Sequence, residues 1–216
     1  MTLNFQLYWS FRSPYSYIVT KRVRRLTEDY DCTCDVRPVY PIAVRSAEFF
    51  ETVNPLWFPY FARDVGRSAE FAGLPIRWPV PDPVYRDPQT GKYPKEQPYI
   101  FRLTALGIAA AEAGRGLPFL DEVSSTLWSG KVDNWHEGDH LANAAARAGL
   151  DLAKLDARVT AERAHFEAVL EANQAAQLEA GHWGVPLMVF EGEPFFGQDR
   201  FDMLKWRMEK KGLARR

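Results

Sequence analysis

Ser13-Pro14-Tyr15-Ser16 follows an alternating segment, Leu3-Asn4-Phe5-Gln6-Leu7-Tyr8, and opens a helical pattern with Val19, Val23 and Leu26 on one face. Serine at the N-cap with proline at the first helical position is how many ordinary helices begin. The same arrangement leaves backbone N–H groups free at the positive end of a helix dipole, where an anion is favoured. A thiolate is such an anion. Thiols near helix N-termini titrate well below the free value of about 8.5, and a serine hydroxyl can donate a hydrogen bond to sulfur without supplying sulfur. Far downstream, Trp183-Gly184-Val185-Pro186 precedes a short apolar segment, Leu187-Met188-Val189-Phe190. A proline directly before a buried strand is costly unless its position does something. The two ends of the chain read as candidate halves of one site.

Other residue patterns carry less. Neither Ser13 nor Ser16 can form a disulfide, and the only cysteines, Cys32 and Cys34, read as free thiols. His136-Glu137-Gly138-Asp139-His140 matches a zinc-protease spacing. That chemistry needs both histidines on one helical face, whereas Asp139 looks like a helix N-cap that leaves His136 outside, so no metal site is assigned. Trp57, Phe58, Tyr60, Trp78 and Tyr85, with Tyr15 beside Ser13, are candidates to line an aromatic substrate pocket. Arg22, Arg24 and Arg25 read as the solvated face of the first helix.

The elements that must position these groups follow from periodicity. Residues 3 to 41 read as strand, helix, strand; residues 185 to 211 read as strand, turn at Glu191-Gly192, strand, helix, the last carrying Phe201, Leu204 and Met208. Between them lie helices around Phe101–Glu112, Phe119–Leu127 and Leu141–Ala148, and a long one from Ala161 to Ala180. The proline-rich stretch from Leu74 to Pro98, with its Asp87-Pro88-Gln89-Thr90-Gly91 turn, rules out a continuous helix and predicts a long loop that walls a pocket. The chain of 216 residues can bury a sizeable core. A formal charge of −1 gives no basic field for nucleic acid or an anionic membrane, and a small, mostly uncharged substrate fits better. No run is long enough to span a bilayer and the N-terminus has no leader pattern, which predicts a cytoplasmic protein.

The order Ser-Pro-Tyr-Ser, a helical insertion, Asn173-Gln174-Ala175-Ala176, Gly181-His182-Trp183-Gly184-Val185-Pro186 and Pro194-Phe195-Phe196-Gly197-Gln198-Asp199-Arg200 resembles the DsbA-like thioredoxin superfamily. Within it the chain is most similar to 2-hydroxychromene-2-carboxylate isomerases and kappa-class glutathione transferases. The resemblance implies an α/β, thioredoxin-like fold with an inserted all-helical domain, divided as 1–41 plus 178–216 and 42–177. It implies a cis Pro186, glutathione as cofactor, a conjugated aromatic substrate and a homodimer. Ser13 would contact the glutathione sulfur and Val185 its cysteinyl backbone; Trp183, Pro186, Gln198, Asp199 and Arg200 would complete the binding surface, with Gln198 and Asp199 at the γ-glutamyl end. Asn54 would sit near sulfur and substrate, and Tyr60-Phe61-Ala62-Arg63-Asp64-Val65-Gly66-Arg67 resembles a family pattern on the next helix. The family's usual lysine three residues before that tyrosine is replaced by Trp57, so Arg45 or Arg63 becomes the alternative cation, or the ligand differs. The implied activity is glutathione-dependent isomerisation; a kappa-like transferase and a non-catalytic thiol or peptide binder remain alternatives.

Overall fold

The computed structural model describes residues 2–46 and 48–216. Its α/β core is a four-stranded mixed sheet in the order β2-β1-β3-β4. Strand β1 (Leu3–Trp9) runs into helix α1 (Pro14–Asp29) and returns as β2 (Cys32–Pro38), parallel to β1. Strands β3 (Leu187–Phe190) and β4 (Glu193–Phe196) form a hairpin antiparallel to β1. Its two turn residues, Glu191 and Gly192, both take positive φ, 50° and 81°, the requirement of a hairpin turn that matches strand twist.

Between β2 and β3 come the short helices α2 (Ile42–Arg45) and α3 (Phe49–Thr52), then α4 (Trp57–Phe71), α5 (Ile100–Glu112), α6 (Gly116–Trp128), α7 (His140–Arg147), α8 (Leu152–Ala161) and α9 (Arg163–Glu179). A 3-10 turn (Gln198–Arg200) leads into α10 (Phe201–Glu209). The long helix expected from Ala161 to Ala180 is α9, which begins two residues later, and α8 before it was not anticipated. Glu162 leaves helical geometry (φ −111°, ψ 30°), so α8 ends there and α9 begins at Arg163. Residues 74–98 form the expected loop, and among the described residues no helix is long and apolar enough to cross a membrane.

Both faces of the sheet are covered. Leu7 and Met188, paired across β1 and β3, join a cluster with Val19 and Val23 of α1 and Leu204 and Met208 of α10. Tyr8 and Leu187, the next pair, face the other way with Val189 against Ala176 and Ala180 of α9. This double coverage explains why Leu7, Tyr8 and Trp9 are all buried although the sequence alternates earlier in the strand. The first cluster continues without a break into Leu103, Phe119 and Trp128 of the inserted helices.

Two arginines of α1 are not simply solvated. Arg24 and Lys21 both reach the buried carboxylate of Asp121 on α6, at 3.0 and 3.2 Å, and Arg22 reaches Asp202 on α10. A carboxylate withdrawn from water requires such partners.

The turn between β1 and α1 is held from several sides. The Trp9 indole donates to Ser16 O (3.1 Å) and Thr20 Oγ1 (2.9 Å), pinning the end of the strand to the first turns of the helix. The fully buried Trp128 indole donates to Phe11 O at 2.9 Å. Trp128→Phe would leave that carbonyl without its donor, a loss of about 1–3 kcal/mol, measurable as a lowered urea midpoint with an unchanged m-value.

Candidate active site

Ser13 is the N-cap of α1. Its Oγ accepts from Ser16 N–H at 3.2 Å and donates to the carbonyl of Val185 at 3.3 Å, across the interval of 172 residues that separates the chain's two ends. The Val185–Pro186 bond is cis, and Pro186 O accepts from Gly197 N–H at 2.9 Å. The two ends thus meet as expected, and Ser13, Val185, Trp183 and Tyr15 all border one cleft of about 870 Å³.

The segment before Pro186 is fixed from outside the sheet. The guanidinium of Arg45, at the end of α2, donates to Trp183 O (2.7 Å) and to Gln177 Oε1 (2.9 Å); the Gln177 amide, fully buried on α9, donates to Gly184 O (2.7 Å). Burial lowers the Arg45 pKa to about 10, which leaves it charged at neutral pH. Gly184 itself is squeezed: a Cβ there would penetrate the Phe196 ring and approach His182 Cε1 to 3.0 Å. His182 stacks on Phe196 with centroids 3.8 Å apart, and its Nδ1 accepts from Gly184 N–H at 2.9 Å.

On the opposite wall, the Tyr15 hydroxyl donates to Asp64 at 2.6 Å, Asp64 pairs with Arg67, and Arg67 donates to the Tyr60 hydroxyl at 2.7 Å. Burial, reinforced by the Asp64 carboxylate, pushes the Tyr15 pKa far up, so this phenol stays protonated and its hydrogen is committed to Asp64. Its role is to place α4 over the start of α1. Trp57 stacks on Phe61 (4.7 Å, 10°) and meets Phe49 and Phe50 edge-on, both at 6.1 Å. Phe49 in turn touches Trp183 at 5.3 Å. With Phe58 and Tyr60 these rings give the cleft a continuous aromatic wall.

Several expected site residues lie elsewhere. Asn54 is exposed and outside the cleft lining, because its Oδ1 accepts from Leu56 N–H at 2.9 Å and shapes the turn into α4. Tyr85 also lies outside: its backbone N–H and C=O are taken by the Gln97 amide (2.7 and 3.0 Å), and the loop reaches the cleft through Arg86, Gly91, Lys92 and Tyr93 instead. Gln198, Asp199 and Arg200 form the 3-10 turn beyond Gly197 and do not line the cleft; Asp199 pairs with Arg200 at 2.8 Å. Trp78 packs between Phe61 and Trp128, and Arg63 is exposed outside the cleft. His136 stands before α7, whose N-cap is Asp139, and the described residues contain no group of three metal-ligating side chains. Cys32 and Cys34 are unbonded.

Phe49, Phe50, Tyr93 and Gln177 were not anticipated. Gln177 had a signal: it falls four residues after Asn173, on the side of α9 that faces the sheet, where Asn173 donates to Pro38 O at 3.1 Å.

Two measurements follow. Gly184→Ala should cost roughly 1–3 kcal/mol by overpacking against Phe196 and His182, read by urea denaturation. Burial holds the His182 pKa below its ordinary 6.5, and the Gly184 N–H needs the unprotonated Nδ1. The stability this ring contributes is therefore complete above about 6.5 and is lost as pH falls through the lower folded-state value. His182→Asn, which keeps an acceptor near the same place but does not titrate, should flatten the fall in melting temperature between pH 7 and 5.

Comparison with known proteins agrees with this arrangement. A family model described as DSBA-like thioredoxin domain matches residues 5–209. The chain is 25% identical to 2-hydroxychromene-2-carboxylate isomerase from Pseudomonas putida over 222 residues, covering 93% of this chain and 92% of that protein. Among solved structures, a 2-hydroxychromene-2-carboxylate isomerase superposes with a TM-score of 0.72 at 19% identity, covering 96% of this chain and 95% of the other. The cytosolic disulfide reductase DsbM from Pseudomonas aeruginosa, in a structure with GSH, superposes with a TM-score of 0.58 at 15% identity, covering 96% of this chain and all of that one. With its sheet order, its cis proline opposite the N-terminus of α1 and its helical insertion, the chain belongs to the DSBA-like thioredoxin domain family.

Proposed function

We propose that the protein is a glutathione-dependent isomerase of conjugated aromatic acids. The observation that carries this reading is the Ser13 hydroxyl at the N-terminus of α1, bonded to the Val185 carbonyl at the mouth of an aromatic-walled cleft. Serine at this position excludes a disulfide between residues 13 and 16 and leaves a hydrogen-bond donor where an external sulfur would lie. The residues present fit glutathione at one end. Val185 O has only the Ser13 hydroxyl as its hydrogen-bond donor among the described residues, so a peptide-like N–H can take that carbonyl when the hydroxyl turns to sulfur.

Glutathione supplies, when bound, a thiolate that adds reversibly to a conjugated double bond, making it a single bond that rotates before the sulfur leaves and the double bond re-forms. The chain's own groups do the rest. Ser13 Oγ–H, the positive end of the α1 dipole and the Tyr15 N–H, the one first-turn donor without a partner among the described residues, favour the charged sulfur over the neutral thiol. Lowering a thiol pKa from about 8.5 to about 6.5 raises the thiolate at neutral pH from a few per cent to most of the population. The aromatic walls provided by Phe49, Trp57 and Phe61 orient a flat substrate and exclude water from one side of it. Kinship with an isomerase 25% identical to this chain supports the same reaction class. A transferase would use the same groups and stop at the conjugate.

Ser13→Ala should fold, losing about 0.5–2 kcal/mol from the cap, and should lower thiol-dependent turnover by about 10²–10³-fold. The apparent pKa of the remaining rate should rise toward that of the free thiol. The assay is ultraviolet-monitored isomerisation of an arylidene oxo-acid with varied glutathione and pH; an unchanged rate and profile in Ser13→Ala would remove Ser13 from the chemistry.

A further inference from the structure

The charged residues on the cleft wall are Arg12, Arg45, Glu51, Arg86 and Lys92. Arg12 is neutralised by Asp82, which it grips through Nε and Nη2 at 3.0 and 2.8 Å. Arg86 turns back on its own loop, donating to Gly91 O at 2.6 Å. Arg86 and Lys92 also lack a carboxylate partner among the described residues, but both are exposed; Arg45 is half-buried, and its hydrogen-bond partners, Gln177 Oε1 and Trp183 O, are uncharged. Its Nε is buried without any partner. A guanidinium carries five N–H donors, and withdrawing it from water without a counter-charge is costly. Such a group on the wall of a cleft is matched by an anion that arrives with the ligand.

We propose that Arg45 is the carboxylate receptor of this cleft, binding the acidic group of the ligand beside Trp183. The guanidinium fork suits a carboxylate. Phe49 spans from Trp183 to Trp57, so a ring lying along these faces brings an acidic substituent to the Arg45 end of the cleft. The same guanidinium holds the Trp183 carbonyl, and its partner Gln177 holds that of Gly184, so ligand charge bears directly on the group that positions Val185 against Ser13. This assignment deepens the proposed reaction and rests on it for the identity of the ligand. The carboxylate has two sources, an aromatic acid or the glycyl end of a peptide thiol.

The test compares charged and neutral partners of the same shape. Binding of 2-naphthoate and 2-naphthamide is followed by quenching of tryptophan fluorescence, with Trp57 and Trp183 in the cleft, and binding of glutathione and its glycyl ethyl ester by calorimetry. In the unaltered protein at least one acid should bind about 10-fold or more tightly than its neutral partner, the size of a charge-assisted hydrogen bond. Arg45→Gln should erase that preference while leaving the neutral ligand's affinity unchanged, and Arg45→Lys should keep part of it; Arg86→Gln/Lys92→Gln should keep all of it. A preference confined to naphthoate assigns the substrate's acid, and one confined to glutathione assigns the thiol's. No preference in either pair, or one that survives Arg45→Gln, overturns the proposal. If Arg45→Gln does not fold, the comparison in the unaltered protein together with the Arg86/Lys92 variant still decides it. The naphthoate arm contains no thiol, so failure of glutathione-dependent turnover is read separately.

Discussion

The antiparallel pairing of β1 with β3 is the constraint from which the site follows. Gln6, Leu7 and Tyr8 lie opposite Val189, Met188 and Leu187, so the residues past the end of one strand and just before the other must meet at the same end of the sheet. Ser13 and Val185 are those residues. Their contact is not an accident of two loops. The register is enforced because Leu7 and Met188 bury one face of the sheet while Tyr8 and Leu187 bury the other, and a slip of one residue would exchange the faces.

The chemistry of the cleft is unusual in its balance of charge and ring. Trp57 stands where the family resemblance implies a lysine, and its stacking on Phe61 commits that wall to apolar contact. Positive charge enters instead at the other side, through a guanidinium whose partners are uncharged oxygens. Tyr15, beside the serine, is held as a neutral donor by Asp64. The phenol hydrogen is thus committed within the wall and is not free to move to or from a ligand.

Local signals in the sequence carried well into the structure. The Ser13–Pro14 helix start, the Glu191–Gly192 hairpin and the end of α7 before Gly149 depend on neighbours in sequence, and all three are found as read. What was hidden depends on where distant segments travel. Helix α8 went unread, and no glycine or proline marks the break at Glu162 that parts it from α9. Asn54 and Tyr85 were placed by kinship and residue type, yet the Asn54 Oδ1 is used in a turn and the Tyr85 backbone is held by Gln97. Gln177 sits beside Ala176 on a helix face that packs on the sheet, so it reads as a stray polar residue until the carbonyl of Gly184 is seen opposite.

The clamp on residues 183 and 184 has a consequence for how this fold can be divided. Both of its side chains, Arg45 and Gln177, come from the segment between β2 and β3, whereas the peptide they hold belongs to the sheet half. A minimal protein made by splicing out the helices would retain every strand and the serine at its helix end. It would lose the two side chains that bond those carbonyls. In this chain the insertion is a working part of the proline loop, and a version without it would need new donors for both carbonyls, the buried one of Gly184 above all.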